Sequence, residues 1–599
     1  MEPPVDIVTI ENFEQKLPRW DPEAPNHRYA LVDMGSNGIR FSVSDLTPPR
    51  ARLLKCLYKE RAAISLFDAL NEASPTGHGD HPLVFPDATI KLVSQTLARF
   101  RSIAVDSYDV PPGQVLVFAT EAMRRAQNAA AMLDAIRSES PDLVVHILAP
   151  AVETLFGAVG ALSSFVDVKG LLLDLGGGSV QMTYMDTRAF KAHGQPNRPS
   201  HEIEAALSGQ SLPFGAARLI KILDNAHPDV QASEKSRLQT GMSDAFRTLC
   251  GRFPSLAATA EEAHSKKTAK DSPGIDLFLC GGGFRGYGSM LMHTDPIQPY
   301  PIPSIGSYTV SGERFRSLTN GFGFGDEKIF GISKRRRSQF PAIVAVVEAL
   351  IAAVPPIRSV TFCLGGNREG ALMMMLPPSI RDSSPLVLPD ERDSTTHLNG
   401  AILQDMLDTL ASAFPSDIAL GNTTTVFGLG LGPLYASHIW ERMGENAESN
   451  ASNSLHSAIN HPSSPGLTHL ARAVLGITLC ARWGANLGPI DHTLHKNLRE
   501  LADKADPDAT FWADYTGAVT AALASVVQAW PKTQDSIKEA ITFRSSLEKG
   551  KRSQLHLEIC ISEKTSRGLD LEDIVGLFRR VGKHNDDKKK VKVTVNTVP

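Results

Sequence analysis

Cysteine is scarce and unpaired in this sequence. Its six cysteines, Cys56, Cys250, Cys280, Cys363, Cys480 and Cys560, form no CxxC pair, which excludes a zinc cage and a disulfide framework and fits a reducing compartment. No charge sign dominates either: 65 acidic against 61 basic residues leave a formal charge of -4. That is no global field for collecting DNA or an acidic membrane surface, so direct DNA binding is not expected and any polyanion must be gripped locally. Long apolar runs are missing. The longest apolar helical stretch, FPAIVAVVEALIAAV, is too short to span a bilayer and carries Glu348 in its middle. The amino terminus, MEPPVDIVTIENFEQKLPRW, lacks a basic start followed by an apolar stretch, so it does not read as a signal or transit peptide. Among 18 histidines there is no HExxH or HD-type pair in a helical setting, and His469, His492 and His495 have no acids at metal-ligand spacing. These absences predict a soluble, cytoplasmic protein without a membrane partner.

What is present is ordinary in bulk and organised in detail. Apolar residues make up 42% and charged residues 21% of 599 positions, close to the globular average, and the length predicts roughly three or four domains. From residue 28 onward, short β-rich runs alternate with amphipathic helical patterns. QVLVFAT leads into the helical stretch EAMRRAQNAAAMLDAIR, LVVHILA into VETLFGAVGALSSF, and further strands lie in DLFLCGGG and SVTFCLGG. Such alternation predicts an α/β fold. Pro, Ser and His gather near 376–397, after which helical patterns dominate, and 449–466 reads as a polar loop. The tail reads strand, helix, strand.

Two turns stand out. LVDMGSNGIRFSVSDL and LLLDLGGGSVQMTYMD each place an aspartate, Asp33 or Asp174, at the end of an apolar run just before a Gly-rich turn. Glycine lets a backbone approach a ligand and aim several N–H groups at one phosphate. Gly176, Gly177, Gly178 and Ser179 form one such cradle, and Gly35, Ser36, Asn37 and Gly38 its counterpart. A pair of carboxylates facing across a cleft could hold hydrated Mg²⁺ and orient a water, which makes Asp33 and Asp174 the expected metal and catalytic acids. The competing reading of either turn alone is a tight β-hairpin capped by an aspartate. Recurrence at the same place in the strand pattern, with glycine clusters in CGGGFRGYG (including Gly282) and LGGNREG, favours two similar lobes closing on one anion.

These turns, with ATEAMRRA, LPFGAARL and NREG in the same order, resemble the Ppx/GppA phosphatases, which are exopolyphosphatases and guanosine pentaphosphate phosphohydrolases. The resemblance covers residues 28 to about 375 and, more loosely, the helical carboxy-terminal part. It implies two RNase H-like lobes of the actin, sugar kinase and Hsp70 type. The expected layout is an extension at 1–27, lobe I at 28–165, lobe II at 166–375, a degenerate HD-like helical domain at 376–509 and an α/β segment at 510–599. Within the family, CGGGFRGYG and ARWGANLGPIDHTLH resemble a fungal subgroup of cytoplasmic sensors in mitochondrion-to-nucleus signalling.

The resemblance also assigns roles. It implies that Glu153, in HILAPAVETLFGAVG, is the base for an attacking water, although an acid in a first helical turn is also favoured electrostatically. The family usually has two adjacent acids here, where this chain has Val152 and Glu153, and Gly38 stands where the family commonly has serine. Arg124 matches a phosphate-binding arginine, against the alternative of a solvated helix face. Arg335 and Arg336, in KRRRSQF, match an arginine pair, against the alternative of a surface patch or nuclear-import signal. The implied ligands are ATP, polyphosphate or a guanosine polyphosphate with Mg²⁺. For the signalling subgroup the implied partner is a regulatory protein that restrains nuclear entry of a transcription factor. A homodimer is compatible with this reading. The expected function is a phosphate-sensing regulator, with Mg²⁺-dependent phosphoric anhydride hydrolysis as the alternative. A sugar or acetate kinase shares the fold but is disfavoured by Glu153 and the basic pair.

Overall fold

The computed structural model describes residues 7–71, 83–188, 200–265, 274–319, 328–387, 400–418, 420–461, 465–548, 553–582 and 589–599. The chain forms two compact units, Met1–Thr294 with Ser304–Ser383, and Asp295–Pro303 with Ser384–Pro599.

The first unit holds two six-stranded sheets built on one plan. In the first sheet, β1 (Ile7–Val8), β2 (Arg28–Gly35), β3 (Gly38–Asp45), β4 (Lys55–Ala62), β5 (Val115–Ala119) and β6 (Val144–Leu148) take the order β1-β6-β5-β2-β3-β4. The second consists of β7 (Lys169–Leu175), β8 (Val180–Asp186), β9 (Gln210–Leu212), β10 (Ile275–Cys280), β11 (Thr309–Ser311) and β12 (Ile357–Phe362), in the order β11-β12-β10-β7-β8-β9. Each sheet has an antiparallel meander, β2-β3-β4 or β7-β8-β9, continued by parallel strands, β5-β6 or β10-β12. The two aspartate turns are therefore the first hairpin of each copy. Between its ends β2 is buried on both faces, which is why residues 29–32, YALV, run continuously apolar up to Asp33 and do not alternate.

Helices of this unit relevant to the site are α1 (Leu66–Leu70), α2 (Glu121–Arg125), α3 (Ala129–Glu139), α4 (Pro150–Leu162), α5 (Ala216–Asn225), α6 (Gly281–His293), α7 (Lys334–Ser338), α8 (Phe340–Ala353) and α9 (Asn367–Met375). Pro150 opens α4, where its missing N–H costs nothing. From Thr154 to Leu162 α4 is buried on every side, as a helix apolar all round must be. It shares one core with α9 through Leu155, Phe156 and Val159 against Ala371, Leu372 and Met375. The single helix expected over EAMRRAQNAAAMLDAIR is two, α2 and α3, separated at residues 126–128. The extension expected over residues 1–27 supplies the edge strand β1, parallel to β6.

The second unit is helical with a small sheet. Its helices include α10 (Ala447–Asn460), α11 (His469–Arg482), α12 (Pro489–Ala505) and α13 (Ala509–Val526). The loop expected over 449–466 is, through residue 460, the helix α10. Ala451, Leu455, Ala458 and Ile459 are buried at helical spacing, and the Asn446 side chain caps the start by accepting from Ser449 N at 2.8 Å. The Asn and Ser residues that give the segment its loop-like composition occupy mainly the other faces. The strands β13 (Ile541–Glu548), β14 (Ser553–Ser562) and β15 (Lys589–Val598) form a three-stranded sheet. Leu555, Leu557, Ile559 and Ile561 of β14 point into the core on alternate positions, while the edge strand β15 exposes Lys590 and Lys592. Phe511, Trp512 and Tyr515 of α13 share that core. Residues 376–509 and 510–599 thus do not fold apart: α13 starts at residue 509 and joins the tail to the helices. Residues 295–303 also belong here, with Asn497 donating to the Pro299 carbonyl at 2.8 Å and the Tyr300 hydroxyl 2.8 Å from His469 Nδ1.

Candidate phosphate cleft in the first unit

Loop 1 is the two-residue turn between β2 and β3, closed by the Gly35 to Gly38 pair. Helix α1 backs it: the Ser36 carbonyl accepts from Phe67 N at 3.0 Å and from Ser65 Oγ at 3.3 Å. Loop 2 lies between Leu175 and Val180 and is backed by α5. The Gly176, Gly177 and Gly178 carbonyls accept from Ala216, Ala217 and Gly215 N at 3.0, 2.9 and 2.9 Å. Ser179 is buried and accepts from Gln181 Nε2 at 2.7 Å.

The two loops touch. A Cβ on Gly177 would stand 2.7 Å from Asn37 Cγ, and one on Gly178 would stand 1.8 Å from Glu121 Oε2. Only glycine leaves room for that approach, in which Asn37 comes from one hairpin and Gly177 from the other.

Asp33 and Asp174 are near enough for the charge of one to act on the other. Asp33 is 6% exposed; its Oδ2 lies 3.7 Å from Arg40 Nη1, and its buried Oδ1 has no hydrogen-bond partner among the described residues. Burial pushes the Asp174 carboxyl up, opposed by Arg285 and Arg40 and reinforced by the charge of Asp33. Gly281, with φ +85°, passes so close that a Cβ there would lie 2.2 Å from Asp174 Oδ1. Glu153 and Asp174 line one small cavity with Gln181, Thr183 and Cys280. Burial raises the Glu153 carboxyl to about 7, against the attraction of Arg124. Arg124 Nη2 sits 2.9 Å from Glu153 Oε2, and its Nη1 donates to the Leu148 carbonyl at 2.5 Å. Arg124, expected as a phosphate-binding arginine, is thus ion-paired with Glu153.

The expected arginine pair separates into two environments. Arg335 Nη2 reaches three acceptors of lobe I, Asn37 Oδ1 and Ser65 Oγ at 2.7 Å and Asp68 Oδ2 at 2.8 Å. That nitrogen is thus directed to protein acceptors of lobe I. Arg336 faces Gly282, its Nη2 3.9 Å from the position a Cβ would take there, with Arg40 Nη2 at 3.7 Å. Burial, with Arg285, Arg40 and Arg61 adding repulsion, lowers Arg336 to about 10. Arg40 and Arg336 therefore stand beside Gly282, with Arg285 and Arg61 near enough to repel Arg336; of the four, the motifs had singled out only Arg336. Arg285 lies inside the quoted CGGGFRGYG, and Arg40 stands opposite Asp33 in the hairpin register. Glu121 and Asn367 were also missed, although ATEAMRRA and NREG contain them. Both carry a buried oxygen, Glu121 Oε2 and Asn367 Oδ1, without a hydrogen-bond partner among the described residues.

The donor set suits a hard divalent cation. A Cβ on Gly157 would be 3.7 Å from both Asn367 Oδ1 and Asp174 Oδ2, so two oxygen donors converge there, and the charge of Asp33 acts on Asp174. No cluster of three or more His, Cys, Asp or Glu suited to a metal occurs among the described residues. A Mg²⁺ ion would accordingly rest on the two carboxylates and take its other ligands from water and phosphate, as this ion commonly does. A groove of about 1010 Å³ lies within the second unit beside His495, Arg499 and Asp514 and contains none of these residues. Among the described residues no helix is long and apolar enough to cross a membrane.

Residues 47–240 match the Ppx/GppA phosphatase family, and residues 393–598 match the RTG2 C-terminal domain. The chain is 29% identical over 512 residues to retrograde regulation protein 2 of Saccharomyces cerevisiae, covering 83% of this chain and 80% of that one. It is 25% identical over 384 residues to exopolyphosphatase 1 of Mycobacterium leprae, covering 61% and 94%. Among solved structures, an exopolyphosphatase from Cytophaga hutchinsonii matches at 19% identity and a TM-score of 0.40, covering 58% of this chain and 97% of that one. The Aquifex aeolicus Ppx/GppA member matches at 18% and 0.40, with the same coverage. The first unit thus carries the match to the Ppx/GppA phosphatase family over residues 47–240, and the second unit carries the match to the RTG2 C-terminal domain over residues 393–598.

Proposed function

We propose that this chain is a phosphate-sensing regulator of retrograde, mitochondrion-to-nucleus signalling, which takes the phosphate chain of ATP, polyphosphate or a guanosine polyphosphate between its two Gly-rich hairpins. The observation that carries the reading is the apposition of Asn37 and Gly177 above the buried Asp33 and Asp174. Two anion-binding turns and two acids converge, while Arg40, Arg61, Arg285 and Arg336 supply local positive charge that the whole chain lacks. Mg²⁺ held by Asp33 and Asp174 would neutralise phosphate oxygens. The likeness to yeast retrograde regulation protein 2 supports the signalling role. Ligand binding acts on a protein partner only through differential affinity for open and closed lobes.

The test is capture of partner protein by the full chain with and without Mg-ATP or polyphosphate, in the native protein and in Asp174→Ala. Capture that changes with ligand in the native chain but not in the variant supports the reading. Capture indifferent to both removes it.

Hydrolysis of the terminal phosphoric anhydride is the second reading, favoured by Glu153. A carboxyl raised to about 7 is matched to accepting a proton from water near neutral pH. Phosphate release from polyphosphate, ATP and guanosine pentaphosphate, lost in Glu153→Gln with binding intact, would establish it.

A further inference from the structure

We propose that Asp68 clasps the two phosphate loops together, as a positioning residue that acts through Arg335 and Lys221. Each loop rests on a helix: Ser36 of loop 1 is held by Phe67 N and Ser65 Oγ at the start of α1, and the carbonyls of loop 2 by the start of α5. Asp68 is the side chain of α1 that reaches the other lobe. Its Oδ2 is 2.8 Å from Arg335 Nη2, and its Oδ1 is 3.5 Å from Lys221 Nζ. Lys221 belongs to α5 and also lies over the Phe67 ring, 5.2 Å from its centroid. The helix behind loop 1 is thereby tied to the helix behind loop 2.

The same contact reaches the loops directly. Arg335 also donates to Asn37 Oδ1 at 2.7 Å, and the Asn37 carboxamide lies against Gly177. With Asp68 in place, Arg335 is attracted to lobe I and presents a fixed donor to Asn37. Without Asp68, Arg335 would face Arg61, whose charge already repels it, with no acid opposite. Asp68 itself is about half exposed, 48%, and its ion-pair partners are protein cations. Its effect is on how far apart the two turns sit. Both exposed ion pairs are individually weak, which suits a device that must open to admit a ligand and close over it.

This inference concerns the ligand-free chain and does not depend on which phosphate compound binds, or on whether one is hydrolysed. Hydrogen exchange read by mass spectrometry on the full chain tests it without any ligand. In Asp68→Ala, exchange in peptides covering 35–38 and 176–179 should rise about fivefold, the loss of a contact at the upper end for exposed pairs. Peptides from β5 and from the second unit should stay at native rates. Lys221→Met should move the same two loops by less, because it removes only one of the two ion pairs that Asp68 makes. Asp68→Glu should restore most of the protection. Loop exchange at the native rate in Asp68→Ala, or a rise spread evenly over the chain, overturns the proposal. A chain that binds no phosphate compound at all would still report on the clasp.

Discussion

Asn37 and Gly177, each in the first hairpin of its own sheet, meet face to face: a Cβ on residue 177 would lie 2.7 Å from the Asn37 carboxamide carbon. Contact at that distance sets how closely the two turns approach, and it fixes what several substitutions should do.

Gly177→Ala should force the lobes apart, because the clash is with a side chain that Arg335 already holds. Phosphate-ligand affinity should fall about tenfold or more while the melting temperature changes little, since the contact is at the rim of both cores. Calorimetric titration with polyphosphate, alongside a thermal melt, checks both halves.

Gly281→Ala should behave differently. Here φ is +85° and the added methyl would lie 2.2 Å from Asp174 Oδ1, so both backbone strain and the displaced acid count. A stability loss of about 1–3 kcal/mol by urea unfolding is expected, together with loss of Mg²⁺-dependent binding.

Glu153 gives a pH signature independent of activity. Its folded carboxyl is raised to about 7 from an ordinary 4.5, so the folded state holds the proton more tightly than the unfolded chain does. Its contribution is fully present below the unfolded value, and is lost as pH rises through 4.5 toward 7. Compared with Glu153→Gln, the native chain should therefore lose about 2–3 kcal/mol of stability between pH 4.5 and pH 8. Equal slopes for the two proteins would show that folding leaves the proton affinity of this carboxyl unchanged.

Arg336→Met and Arg335→Met should part company. Arg336 stands beside Gly282 with Arg40, and Arg285 and Arg61 are near enough to repel it; its loss should weaken polyphosphate binding about tenfold or more without altering loop exchange. Arg335 is occupied by lobe I, so its loss should loosen the loops even when no ligand is present. Hydrogen exchange and titration on both variants separate the two.

In the second unit, Leu455 is fully buried on the inner face of α10. Leu455→Ala should cost about 2–5 kcal/mol, measured by urea unfolding. A loop at this position would tolerate the change.

The two aspartate turns, the β-α alternation and the order of glycine clusters were legible in sequence because each depends on neighbours within a few residues. A hairpin needs its turn residues between two apolar runs, and a duplicated hairpin writes the same pattern twice. Helix α10 was not legible, because its Asn and Ser residues dominate the composition while only four buried apolar positions set its face. The α13 link between the helices and the tail sheet was hidden for a related reason: Phe511, Trp512 and Tyr515 are apolar in any domain, and only the fold puts them beside Leu555 and Leu557.

By itself, the sequence determined that two acid-and-glycine hairpins would form, since turn chemistry and apolar periodicity are local. Which arginine faces the glycine loops and which holds the lobes together was decided only by the tertiary structure. Arg335 and Arg336 are adjacent in the chain and identical in kind, but successive residues on a helix point about 100° apart, so one meets Asn37 and Asp68 while the other turns toward Gly282.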